Sequence, residues 1–109
     1  GVITGEIFVA SEPSPANQAF VQAFRKKHNV DPNKVHLVAY EAIKVIAEAI
    51  NRAGSDSDYP KIAKVLRDNP WPTPRGMLKF DEKGRASAPY FYIQQVKDGQ
   101  LVLLTQSRN

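Results

Sequence analysis

No cysteine occurs in this 109-residue chain, so a disulfide framework and a thiolate metal site are both excluded. The lack of thiols also suits an oxidising compartment. Histidine is scarce as well. His28 and His36 are the two, they fall in different elements, and no spacing of His, Asp or Glu suggests a metal site. No apolar run is long enough to span a bilayer, and the opening residues do not read as a signal peptide. The nucleophile elbow G-x-S-x-G, the phosphate loop G-x-x-x-x-G-K and the dinucleotide loop G-x-G-x-x-G are all missing. The adjacent carboxylates Asp81 and Glu82 sit in a turn, where Asp is favoured for local hydrogen bonding. No residue pair asks for a catalytic role and no cofactor is expected, so the inventory favours a binding module or a structural piece over an enzyme.

What is present is ordinary in bulk. Hydrophobic residues at 42% and charged residues at 24% are globular values, and 109 residues make one modest domain. The net charge of +4 comes from 15 Lys and Arg spread along the chain. Their one cluster, Arg25-Lys26-Lys27-His28, stands at an expected helix end, where cations complement the helix dipole. No nucleic-acid partner is expected from so dispersed a footprint. Tyr90, Phe91 and Tyr92 lack the interleaved basic residues and glycines of a base-stacking platform, so a half-buried strand accounts for them. Trp71, set among prolines, reads as a surface plug or part of a recognition face, and its indole N–H needs a partner if buried. Gly1-Val2-Ile3 enters an apolar strand at once, which reads as the middle of a longer protein.

The patterning predicts an α/β chain. Residues 2–10 read as a strand running into an extended segment. Ser14 and Pro15 open a helix to about His28, with Ala16, Ala19, Phe20, Ala23 and Phe24 on its apolar face. A second helix runs from about Lys34 to Ala53. One apolar stripe is Ala39, Ala42, Ile43, Ile46, Ala47, Ile50 and Ala53. Leu37, Val38, Val45 and Ala49 make much of the remaining surface apolar, so packing on more than one side is expected, with Glu41, Lys44, Glu48 and Arg52 as the wet ridge. Gly54 reads as a left-handed cap. A short helix over about 59–68 buries Ile62, Val65 and Leu66, and the prolines of PWPTP then block any helix. Three strands follow, at residues 76–80, 89–97 and 101–105, and Asp98-Gly99 reads as a tight hairpin turn.

These elements carry a resemblance. The P-A-N-x-x-F helix comes first, then A-Y-E-A-I-x-x-I-A-x-A-I-x-x-A-G and I-A-K-x-L. G-x-L-x-F-D-E-K-G and Y-x-Y-I-x-Q-V-K-D-G close the series. In this order they resemble the C-terminal third of the periplasmic substrate-binding proteins of branched-chain amino acid ABC transporters. The resemblance implies the C-terminal portion of a two-lobed type I periplasmic-binding fold, here three helices plus about four strands. It implies that residues 1–10 and 92–109 belong to the second lobe and 11–88 to the first. The chain would cross between lobes at about Ile7–Ser11 and Pro89–Ile93, so Ile7, Phe8, Val9, Ala10, Pro89, Tyr90 and Phe91 would form the hinge.

The family's main ligand contacts lie upstream of these residues. One cleft-facing position just before the long helix matches Val35 or His36. It is often aromatic in amino-acid binders, and Val35 departs from that; Val35 as a helix-start core residue beside an exposed His36 is the plainer alternative. The implied role is capture of an amino acid or related small carboxylate in the periplasm for delivery to a membrane permease. As a fragment, the chain is expected to self-associate through apolar faces and strand edges. A ligand-sensing regulator of the same fold, and a small standalone interaction domain using Trp71 and Tyr90–Tyr92, are the competing readings.

Overall fold

Each helix begins on a side-chain cap. In the computed structural model, which describes residues 1–108, α1 spans Pro15–His28. Ser14 Oγ accepts from the Asn17 amide at 3.4 Å, and Asn29 closes the helix with φ 58°. The second helix, α2, spans Lys34–Ala53. Asn33 Oδ1 accepts from the amides of Val35 (2.9 Å) and His36 (3.2 Å), while His36 Nδ1 accepts from the Asn33 amide at 3.0 Å. That reciprocal box satisfies donors that would otherwise be orphaned. Gly54, at φ 71°, ends α2 in a conformation that costs glycine nothing. Asp58 caps α3, Tyr59–Asp68.

Six strands form two separate antiparallel sheets. The first has the order β1 (Ile3–Glu6), β5 (Tyr90–Lys97), β6 (Gln100–Arg108), and the second the order β2 (Trp71–Thr73), β3 (Gly76–Phe80), β4 (Ala86–Ser87). Asp98 (φ 51°) and Gly99 (φ 76°) make the hairpin turn, as the Asp-Gly pair requires. The strand count exceeds the expected four because of β2 and β4. Both are sheet edges, and an edge strand tolerates the proline at position 72, whose missing N–H would break a central ladder. The first strand ends at Glu6, and residues 7–10 pass out of the sheet.

Two apolar clusters hold the helical part. One gathers Val45, Ala49, Ala53, Ile62, Trp71, Leu78 and Ala88; the other gathers Phe8, Phe20, Val21 and Leu37. The expectation that α2 packs through Leu37, Val45 and Ala49 holds, but its alanine and isoleucine stripe is largely left exposed. In α2 the buried line is Leu37, Glu41, Val45, Ala49 and Ala53, whereas Ile43 is 69% exposed and Ala39, Ala42 and Ala47 are also exposed. Glu41 leaves the expected wet ridge because Arg75, 34 residues away, neutralises it. The Arg75 Nη2 donates to Glu41 Oε1 at 2.5 Å and Nε to Oε2 at 3.1 Å. In α1, Asn17, Phe20 and Val21 are buried, and Ala16, Ala19 and Ala23 are exposed. The Asn17 side-chain Nδ2 donates to the carbonyls of Val9 (3.0 Å) and Glu12 (2.9 Å), which fastens the segment after β1 to α1.

Trp71 is not a surface plug. It is fully buried, and its indole N–H donates to the Leu66 carbonyl at 3.0 Å. The Cα radius of gyration is 15.8 Å, above the roughly 13 Å of a compact domain of this length. The excess follows from a sheet of β1, β5 and β6 standing beside the helices instead of being covered by them.

Candidate functional site

The start of α2 and the end of β1 face each other where the chain passes between the sheet and the helices. Phe8 and Val9 are buried in the first passage. Phe8 meets Phe20 edge-on at 6.1 Å between ring centroids, so this passage is anchored by packing. In the second passage Ala88 is buried, Pro89 and Tyr90 are half-buried and Phe91 is exposed. Gly76 lies against Pro89, and a Cβ there would come within 2.6 Å of the proline ring. Its φ of 100° also suits glycine alone.

Tyr92 is buried just beyond that passage. Burial raises its hydroxyl pKa above the usual tyrosine value, and the nearby Glu12 carboxylate and Tyr90 push the same way, against Arg75.

Val35 and His36 have different surroundings. Val35 is 67% exposed, so it is not a core residue of the helix start. His36 combines its capping role with a ring contact to Phe24 at 4.7 Å. His28, from the end of α1, lies against the same phenyl ring at 4.5 Å. The fold thus brings together two histidines that the sequence placed in separate elements. No cluster of three or more metal-ligating side chains occurs among the described residues. An open cavity of about 620 Å³ runs from these rings along the groove between α1 and α2, past Phe20, Tyr40 and Lys44. Its lining combines these aromatic rings with Lys27, Lys44 and the Glu41 carboxylate that Arg75 pairs.

The pair that sequence reasoning missed is Glu6 and Lys34. Their side chains meet at 2.7 Å across the passage, joining β1 to the first residue of α2. One signal was legible: a lysine in the first turn of a helix opposes the dipole, so it asks for a partner outside the helix.

The sequence profile of the family described as periplasmic binding protein matches residues 1–100. The leucine-, isoleucine-, valine-, threonine-, and alanine-binding protein of Pseudomonas aeruginosa is 46% identical over 76 residues, which is 69% of this chain and 20% of that protein. A Desulfitobacterium hafniense ABC transporter substrate-binding protein, solved in complex with Leu, is 32% identical. It superposes with a TM-score of 0.84 over 95% of this chain and 31% of that one. A Rhodopseudomonas palustris solute binding protein, solved with 3,4-dihydroxy benzoic acid, is 26% identical. Its TM-score is 0.82 over 99% of this chain and 31% of that one. The chain therefore spans about a fifth to a third of the length of these relatives.

Proposed function

Since this chain belongs to the periplasmic binding protein family, we propose that it is part of the solute-binding component of an ABC import system, which captures an amino acid or a related small carboxylate. Such a component binds and delivers a solute and performs no chemistry on it. The observation that carries the reading is the match across 95% of the chain to a substrate-binding protein solved with Leu. The relative solved with 3,4-dihydroxy benzoic acid supports an aromatic acid as the second solute class. On this reading the protein works in the periplasm and hands its solute to a membrane permease.

In that role residues 1–10 and 92–109 form part of one lobe and residues 11–88 part of the other; Asn109 lies outside the described residues. The separation of the β1-β5-β6 sheet from the helices supports this division. Ile7, Phe8, Val9, Ala10, Pro89, Tyr90 and Phe91 would then be the hinge, and hinge closure would bring Val35 and His36 to the solute. A valine at this position leaves more room than an aromatic ring, which favours a bulkier solute side chain.

The test is a titration of the chain with L-leucine and, separately, 3,4-dihydroxybenzoate, followed by amide chemical shifts and by the melting transition. The expected result is shifts concentrated at residues 34–36 for one of the two. At a hundredfold excess over Kd the bound chain gains about 2.7 kcal/mol. A cooperative melt that neither compound moves, with unchanged amides, refutes binding by these residues.

The exposed stripe of α2 and the free edge of β6 also support self-association of this chain. Sedimentation velocity is expected to show dimers or larger species at tens of micromolar, as a rough working range for a weak apolar contact. The double variant Ile43→Lys/Ile46→Lys should be monomeric. A wild-type chain that sediments as a monomer throughout contradicts the proposal.

A further inference from the structure

Lys34 stands where its own helix does not want it. A cation in the first turn opposes the positive end of the dipole. The first turn of α2 carries no acidic residue, and the Asn33 cap already serves the Val35 and His36 amides. The ammonium instead reaches Glu6 at 2.7 Å, at the last residue of β1 and directly before Ile7. The other ion pairs among the described residues, from Arg25–Asp31 to Arg85–Asp81, each lie within residues 11–88. Glu6–Lys34 is thus the pair that joins the β1-β5-β6 sheet to the helices.

We infer that Glu6 and Lys34 are positioning residues for solute capture: their ion pair holds the two bodies together at the lip of the cleft and sets how closely Val35 faces the opposite sheet. This rests on the two-lobed reading proposed above. The physical logic is reversibility. The Glu6 side chain is 23% exposed and that of Lys34 54%, so water reaches both partners. A pair of this kind is weak and screened by salt. It biases an opening equilibrium without locking it, whereas the buried Glu41–Arg75 pair inside the helical body is built to stay closed. Because Lys34 adjoins Val35, closing the pair carries the candidate solute contact with it. The bias then shifts the population of the form that binds.

The chain has no cysteine, so Ser57→Cys and Gln100→Cys provide two unique spin-label sites, both exposed, one on each body. Distances are measured by pulsed electron resonance without solute, with labelled chain diluted in unlabelled chain to remove intermolecular signals. Glu6→Gln and Lys34→Met are each expected to raise the long-distance population about twofold to fivefold, the range of a partly exposed pair. The charge swap Glu6→Lys/Lys34→Glu is expected to return it to the parent value. Raising salt to about 1 M should move the unmutated chain toward the Glu6→Gln distribution.

Distributions that superimpose for the parent and both single variants, and that ignore salt, overturn the inference. If a single variant fails to melt cooperatively, the salt series on the unmutated chain decides. Since no solute is present, failure here is distinct from a failure of solute binding. The latter is read in the titration with L-leucine and 3,4-dihydroxybenzoate.

Discussion

Replacing Trp71 with alanine is expected to cost about 3–5 kcal/mol, a large part of the stability of a domain this size. The ring is fully buried against Val45, Ala49, Ile62 and Leu78, so truncation removes apolar area from the centre of the larger cluster and leaves a cavity there. The indole N–H also donates to the Leu66 carbonyl at the end of α3, and the Arg52 guanidinium stacks over the ring at 4.6 Å. Phenylalanine should cost less, since it keeps most of the volume and loses the hydrogen bond. Urea denaturation followed by far-UV circular dichroism measures both, because Trp71 is the chain's one tryptophan and fluorescence vanishes with it. A loss below about 1 kcal/mol for Trp71→Ala would mean that the residue lies outside the core.

The second large effect concerns Glu41 and Arg75, whose side chains are 6% and 13% exposed. Removing either partner leaves the other charge buried without its counter-ion, which costs about 3–5 kcal/mol. Replacing both with apolar residues of similar volume removes the two desolvation penalties together. Glu41→Met and Arg75→Leu are each expected to be strongly destabilising, and the double variant to recover most of the loss. A double-mutant cycle in urea reads the coupling directly. Additive losses would show that the two side chains do not depend on one another. The double variant also tests why Glu41 sits in the buried line of α2 at all: if it is more stable than the parent, the ion pair contributes orientation of the β2–β3 turn against α2 and not net stability.

The local signals in this chain were legible because they act within a few residues. Ser14, Pro15 and Gly54 bound their helices as their chemistry requires, and Asp98-Gly99 turns the β5–β6 hairpin. The ordered motifs from P-A-N-x-x-F to Y-x-Y-I-x-Q-V-K-D-G carried the family, which the profile match over residues 1–100 bears out. Hydrophobicity marked Phe20, Leu37, Val45, Ala49 and Ala53 as apolar, and these are buried, but it did not rank the faces of α1 and α2. Ile43 and Ile46 are the more apolar choice for a core, yet the side of α2 that finds partners in this chain is the one bearing Glu41 and Val45. Likewise the prolines of PWPTP correctly spoke against a helix but said nothing of the edge strand they accompany, because pairing with β3 is decided by residues further along the chain.

Helix starts and stops and the chain's turns were legible because they depend on neighbours along the backbone, the lack of thiol chemistry because it is a matter of composition, and the family because its motifs recur in order along the chain. Which helix face is most buried, that Trp71 is core, that His28 and His36 meet on one phenyl ring, and that Glu6 reaches Lys34 emerge with the packing of the folded chain. Those outcomes depend on charges and surfaces supplied from distant positions, and periodicity within one element carries no information about what will pack against it.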